Sequence, residues 1–144
     1  MYAGARPNRL ARFLNGIWRR LAAAGLAPER LCTLEVRRRR SGGTASFPVV
    51  VADLEGERYL VAMLGERANW VANVRAAGGA AVLRHGGSEQ VRLEEVDPAQ
   101  RAPILRRYVE LAPEARAHIG LGPEDRLGDF ERIAPRHPVF RIRA

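Results

Sequence analysis

Apolar residues recur every three or four positions near the start of the chain, over residues 6–24. This spacing predicts an amphipathic helix, because residues three and four apart lie on one helical face. The apolar stripe consists of Leu10, Phe13, Leu14, Ile17, Trp18 and Leu21. An apolar stripe of this kind has to be covered by another surface. The rest of the fold or a partner subunit in a homodimer would supply one, and an anionic membrane surface is the alternative, since arginines flank the stripe.

From residue 31 the period changes to two, which is typical of strands. Cys32, Leu34 and Val36 alternate with polar residues, and the turn cluster at residues 41–44 predicts a hairpin. Further strands are predicted over residues 46–54, 58–64, 80–84, 90–96 and 137–143, and helices over 69–77 and 103–111. Pro48 indicates that the second strand lies at a sheet edge or carries a bulge, because proline has no N–H to donate.

The order of these elements predicts the fold class. Consecutive strands joined by tight turns pair antiparallel, and six strands around one core indicate a closed or split barrel. The chain has no Gly-x-Gly-x-x-Gly motif and no alternation of strand and helix, which argues against a Rossmann domain. We therefore expect one α+β domain over residues 1–144, a six-stranded antiparallel split β-barrel with flanking helices.

Composition narrows the function classes. The net charge is +8, and all 24 basic residues are arginine, so a Schiff-base lysine and a P-loop lysine are excluded. The arginines are spread along the chain without a nucleic-acid motif, which argues against a nucleic-acid partner. Cys32 has no second cysteine to pair with, and no signal peptide or bilayer-spanning segment is evident. We therefore expect a cytoplasmic location. The N-terminal helix is the one candidate for contact with the inner face of the membrane.

A run of four arginines, residues 37–40, is the strongest local signal. Beside it, Ser41, Gly42 and Gly43 offer backbone N–H groups, and together they predict a cradle for phosphate or carboxylate. The competing interpretation is a solvated strand end paired with nearby acids. The histidines His85, His118 and His137 match no metal-binding spacing, and His85 is either a proton donor or an ordinary loop residue.

Several of these residues recur in an order that resembles the deazaflavin-dependent nitroreductase and quinone reductase family. Arg40-Ser41-Gly42 is followed by Pro48 in the second strand, by Leu60-Val61-Ala62 and by Gly65. The most specific segment is residues 69–78, which contains Trp70 and Asn73, and residues 138–142 fit the family's last strand. The resemblance covers residues 31–144 as a pattern, and none of these motifs is decisive alone.

The resemblance implies a split barrel that binds the deazaflavin coenzyme F420 and passes a hydride to a quinone or nitro-type acceptor. The coenzyme carries the difficult chemistry, so no catalytic side chain is required. By position, Arg39, Arg40, Ser41 and Gly42 would hold its phosphate. Pro48 and Val49 would line the ring pocket, Met63 and Gly65 belong to the loop that contacts the coenzyme, and Trp70 and Asn73 would stand on the helix that closes it. From the residues alone, Trp70 could equally be core, and Asn73 could cap a loop carbonyl.

Three departures from the family pattern bear on activity. Ala45 stands where coenzyme-binding members place an arginine, and the loop Met63-Leu64-Gly65-Glu66 replaces a small Ser-x-Gly-Gly loop. Phe130 is the one aromatic residue left where nitro-reducing members carry tyrosines. We therefore expect weak coenzyme affinity and little nitro reduction. The alternatives are a non-catalytic module of the same fold that binds a lipid or fatty acid, and a protein that uses FMN.

Overall fold

The computed structural model describes residues 30–66 and 68–144. The predicted N-terminal helix over residues 6–24 lies outside the described residues. Within them are seven strands and four α-helices. The strands are β1 (Leu31–Arg37), β2 (Thr44–Val50), β3 (Ala52–Leu54), β4 (Glu57–Val61), β5 (Ala80–Arg84), β6 (Ser88–Glu95) and β7 (Val139–Arg143). The helices are α1 (Asn69–Ala76), α2 (Ala102–Leu111), α3 (Arg116–Ile119) and α4 (Leu127–Ile133).

The strands form one curled antiparallel sheet, a half-barrel, with the order β2-β1-β5-β6-β7-β4-β3. The prediction of an α+β fold with antiparallel strands is confirmed, but the prediction of six strands is wrong. The single strand expected over residues 46–54 is divided at Val51: β2 pairs with β1, and β3 pairs with β4. The Val51 N–H bonds to the Arg30 carbonyl, 2.8 Å away, which continues the β1–β2 register by one residue, so the chain changes partner strands directly after Val51.

Strand β2 is an edge strand, as the position of Pro48 predicts. Pro48 lies opposite Thr33 of β1, and the missing N–H therefore faces away from the only neighbouring strand. The other edge is β3, and the two edge strands are consecutive in the chain. The sheet thus curls until its two edges are formed by one continuous segment.

The fourth strand ends three residues earlier than predicted. After Val61 the Ala62 N–H bonds to the Pro138 carbonyl, and the chain turns at Gly65, whose N–H bonds back to Ala62. Gly65 has a φ of 89°, and a Cβ there would lie 3.1 Å from the Arg136 carbonyl oxygen. Glycine is required at this turn because other residues rarely adopt that conformation.

Two apolar clusters lie on the inner and outer faces of the sheet. The first packs α1 against β1, β5, β6 and β7, with Trp70, Val71 and Val74 directed inward. The second packs α2 and α4 against β3 and β4, with Leu105, Val109 and Phe130 at its centre. None of the helices in the described part of the chain has the length and apolar content that a membrane span requires.

Candidate functional site

A cavity of about 140 Å³ lies where β2, β4, α1 and the α2–α3 region meet. Its inner end is formed by buried residues: Val50, Val61, Trp70, Tyr108, Ala112 and Ala115. Its outer end is formed by half-buried and exposed residues: Phe47, Val49, Met63, Leu64, Glu114 and His118. Leu64 is 49% exposed and is the one large hydrophobic residue exposed in the described chain, so the mouth combines apolar side chains with the polar Glu114 and His118.

Four of the predicted site residues line this cavity. Pro48 and Val49 come from β2, Met63 from the loop after β4, and Trp70 from the first turn of α1. Trp70 also packs on Phe140, with ring centroids 5.6 Å apart. The two interpretations of Trp70 are therefore compatible, because one face belongs to the core and the residue still lines the cavity.

The arginine run forms the turn between β1 and β2, and Asn73 of α1 holds it. The Asn73 Oδ1 accepts hydrogen bonds from the Arg39 backbone N–H at 3.1 Å and from its guanidinium at 2.9 Å. Asn73 is 5% exposed, and it lies one helical turn beyond Trp70. The arginine turn is thus fixed to the same helix that forms one wall of the cavity.

Most backbone N–H groups of this turn are used within it. The Gly42 N–H bonds to the Arg38 carbonyl at 3.2 Å, and the Gly43 N–H bonds to the Ser41 Oγ at 3.2 Å. The N–H groups of Gly42 and Gly43, which are predicted to bind a phosphate, therefore already donate hydrogen bonds within the turn. What remains for an anion is the guanidinium groups of Arg37, Arg38 and Arg40, which are exposed and have no side-chain partner among the described residues.

The loop at the cavity mouth is tied to the fold by ion pairs. Glu66 is 2.9 Å from Arg75 of α1, and the hydrogen bonds from Arg75 lower the pKa of its carboxyl group. Arg75 also contacts Glu95 at 2.6 Å, which in turn contacts buried Arg101. The negative charge that Glu66 adds to the family pattern is therefore balanced by an arginine rather than presented alone to a ligand.

Two further contacts fix the start of the loop. The His137 Nδ1 lies 3.0 Å from the Ala62 carbonyl, and Arg101, 3% exposed, donates to the carbonyls of Val96, Ala134 and His137. Arg101 therefore connects α2 to the segment that positions the cavity loop.

The remaining candidates lie elsewhere. The His85 Nδ1 is 3.1 Å from the Leu31 carbonyl, outside the cavity lining, which fits the loop interpretation. Burial raises the pKa of the Cys32 thiol, as expected of an unreactive core cysteine. No cluster of three metal-ligating side chains occurs within residues 30–66 and 68–144.

Sequence reasoning missed the inner wall formed by α2 and the residues after it. Tyr108 lines the cavity and is 4% exposed, while Glu114 and His118 lie at the mouth. At helical spacing Tyr108 looks like an ordinary core residue. The only signal available was the i, i+4 spacing of Glu114 and His118, which is too common to stand alone.

The chain matches no protein-family model and no curated protein sequence. Solved structures do match. A structure described as an F420-H2-dependent reductase (FDR-A) is 18% identical, with 78% of this chain and 93% of that chain covered and a TM-score of 0.54. One described as a domain-swapped dimer is 15% identical, with coverage of 96% and 99% and a TM-score of 0.57.

A third match is a protein from Clostridium acetobutylicum, related to general stress protein 26 and described as of the pyridoxinephosphate oxidase family. It is 10% identical, with coverage of 88% and 80% and a TM-score of 0.53. At these identities the likeness concerns the fold. The chain therefore has the split-barrel fold found in the F420-H2-dependent reductase and in the oxidase-family protein, as its resemblance to the deazaflavin-dependent family implies.

Proposed function

We propose that the chain is an oxidoreductase that binds a deazaflavin coenzyme of the F420 type and reduces a quinone- or nitro-type acceptor. The observation that carries this proposal is the position of α1. One turn of this helix contributes Trp70 to an apolar cavity, and the next turn contributes Asn73 to the arginine turn. An apolar wall and a cluster of cations therefore lie one helical turn apart, which suits a ligand with an aromatic ring and an anionic tail.

The residues present fit such a coenzyme in their chemistry. Val49 and Met63 are half-buried, so the wall continues from the cavity to the surface, where a ring system larger than the cavity would lie. The guanidinium groups of Arg38 and Arg40 are suited to a phosphate or carboxylate tail. When bound, the reduced coenzyme supplies a hydride. The protein orients the ring against apolar side chains, excludes water and neutralises the tail.

A calorimetric titration of the full chain with F420 and, separately, with FMN tests the proposal. We expect F420 to bind, with an affinity that falls as salt is added, because the tail contacts are electrostatic. Arg40→Ala should weaken binding by about tenfold, the value of one charge-assisted hydrogen bond. Arg106→Ala is the matched control, since Arg106 is equally exposed but belongs to α2, and it should leave the affinity unchanged.

The outcomes separate the alternatives. Binding of FMN in preference to F420 would favour the alternative in which the chain uses FMN. Binding of a fatty acid, with neither coenzyme bound, would favour the non-catalytic module. Tight F420 binding with rapid nitro reduction would contradict the expectation drawn from Ala45, Met63 and Glu66.

We also propose that the protein forms a homodimer. The support is the similar structure described as a domain-swapped dimer, which matches this chain over 96% of its length. Sedimentation equilibrium of the full chain tests this, and a monomer at all accessible concentrations would contradict it.

A further inference from the structure

The inner end of the cavity contains a polar group that the proposed coenzyme site does not use. Tyr108, on the buried face of α2, is 4% exposed and lines the cavity. Within the described chain its hydroxyl group has no hydrogen-bond partner. The hydroxyl oxygen is also not fully enclosed by the protein. The hydroxyl group therefore keeps some accessible surface, and the cavity is the open space that Tyr108 lines.

The surroundings of Tyr108 make it a hydrogen-bond donor. Burial raises its pKa, so the phenol stays protonated at any physiological pH. The other residues at the inner end are Val50, Val61, Trp70, Ala112 and Ala115, and none of their side chains carries a hydrogen-bond acceptor. A buried hydroxyl in such a setting favours a ligand that brings an acceptor atom, because the group is otherwise left unsatisfied.

The size of the cavity limits the ligand. A cavity of about 140 Å³ is close to the roughly 150 Å³ that holds one benzene ring in an engineered apolar core. One ring with a small substituent fits this space, whereas a fused tricyclic ring does not. The coenzyme ring would accordingly lie outside the cavity, on the surface beside the half-buried side chains of Val49 and Met63, and the cavity itself is left for a second, smaller molecule.

We propose that the inner end of the cavity is the acceptor subsite and that Tyr108 selects single-ring acceptors bearing a carbonyl or nitro oxygen, to which its hydroxyl donates a hydrogen bond. This inference rests on the proposed function, since the molecule in the cavity is an electron acceptor only if the chain is an oxidoreductase. It assigns Tyr108 a role in specificity and leaves the redox step to the coenzyme.

The test compares two probes of nearly the same shape, acetophenone and α-methylstyrene, in which a carbonyl oxygen is replaced by a methylene group. Their dissociation constants are measured by NMR titration of the full chain without coenzyme. We expect acetophenone to bind about tenfold more tightly, the value of one buried hydrogen bond. Tyr108→Phe should abolish this preference while leaving the affinity for α-methylstyrene unchanged.

Tyr59→Phe is the matched control. Tyr59 is also a buried tyrosine, 6% exposed, but it packs beneath Arg141 and does not line the cavity. It should retain the full preference for the ketone. A preference that survives in Tyr108→Phe, or that is lost equally in Tyr59→Phe, would overturn the proposal, and so would the absence of any preference in the unmodified chain.

This experiment and the coenzyme titration fail independently. If F420 binds but the ketone is not preferred, the acceptor subsite is wrong and the proposed function stands. If the ketone is preferred but no coenzyme binds, Tyr108 selects the ligand of a binding module, and the oxidoreductase proposal is wrong.

Discussion

The contact between Asn73 and Arg39 gives the sharpest test of how the site is built. The family resemblance makes Asn73 a coenzyme-binding residue, but its Oδ1 accepts two hydrogen bonds from Arg39. We therefore expect Asn73 to act on coenzyme binding through the arginine turn rather than by direct contact. Asn73→Ala removes both bonds, and Arg39→Ala removes only the bond from the guanidinium.

The magnitude follows from the two bonds. The backbone N–H bond is neutral and contributes about 1 kcal/mol to stability. The guanidinium bond would contribute about 1.5–3 kcal/mol if buried, but Arg39 is exposed, so water replaces much of it and about 0.5–1 kcal/mol remains. Asn73→Ala should therefore lower the free energy of unfolding by about 1.5–2 kcal/mol, and Arg39→Ala by about 0.5–1 kcal/mol.

Urea denaturation of the two single variants and the double variant measures the coupling. We expect the double variant to lose about 0.5–1 kcal/mol less than the sum of the single losses, because the guanidinium bond is counted twice in that sum. Asn69→Ala serves as the control, since Asn69 is exposed one turn earlier on α1. It should change neither stability nor affinity.

The same variants are then titrated with coenzyme. If Asn73 acts through the turn, Asn73→Ala should cost less affinity in the Arg39→Ala background than in the unmodified chain, because only the backbone bond to Asn73 is left to lose there. Strictly additive losses of affinity would refute this reasoning and return Asn73 to direct contact with the coenzyme. Unchanged stability in Asn73→Ala would refute the anchoring role itself.

Three further predictions concern the framework. Arg101→Met removes the buried donor to the carbonyls of Val96, Ala134 and His137 and one of the two arginine partners of Glu95, so it should cost roughly 3–5 kcal/mol and lower Tm by roughly 10 °C. A loss no larger than that of exposed Arg106→Met would contradict this. The carboxyl pKa values of Glu66 and Glu89 are lowered by their arginine partners. The stabilising effect of these carboxylates is present above 4.5, their pKa in the unfolded chain, and is lost as the pH falls through their pKa values in the folded protein. The thermal stability should therefore drop in acid, and it should drop less in Glu89→Gln. A series of Tm measurements between pH 3 and 7 tests this. The raised pKa of Cys32 predicts that a thiol reagent labels it only after denaturant is added, and rapid labelling of the native protein would show the opposite.

Local pattern predicts most of this fold. The alternation that begins at residue 31 predicts the start of β1, and the apolar spacing after residue 102 predicts α2 to within one residue. These elements are set by which side chains must be buried, and a period of two or of 3.6 reports that directly. Pro48 even identifies an edge strand from its missing N–H.

The division at Val51 could not be predicted in the same way. Residues 46–54 are apolar on both faces, and an unbroken apolar run does not reveal where a strand changes partners. That change depends on how far the sheet curls, which is a property of all seven strands together.

The site was predicted in part for a similar reason. Pro48, Val49, Met63 and Trp70 come from elements that the family pattern also contains, and they meet in the cavity. Tyr108 comes from a helix that contributes none of the motifs on which the family resemblance rests. A buried tyrosine with a hydrogen bond and one without look the same in a sequence, because the difference lies in what surrounds the hydroxyl.

The junction at Val51 has a consequence for how the protein can change over time. Residue 50 lines the cavity, while residues 52–54 form the opposite edge of the sheet, so a single position separates the cavity-lining strand from the strand that completes the curl. Because side chains alternate faces, inserting one residue in β3 would turn its apolar side chains outward, but one inserted at the junction could be absorbed without altering either ladder. A change of length at this junction would thus alter only the connection between the two edges of the sheet, while both hairpins keep their pairing.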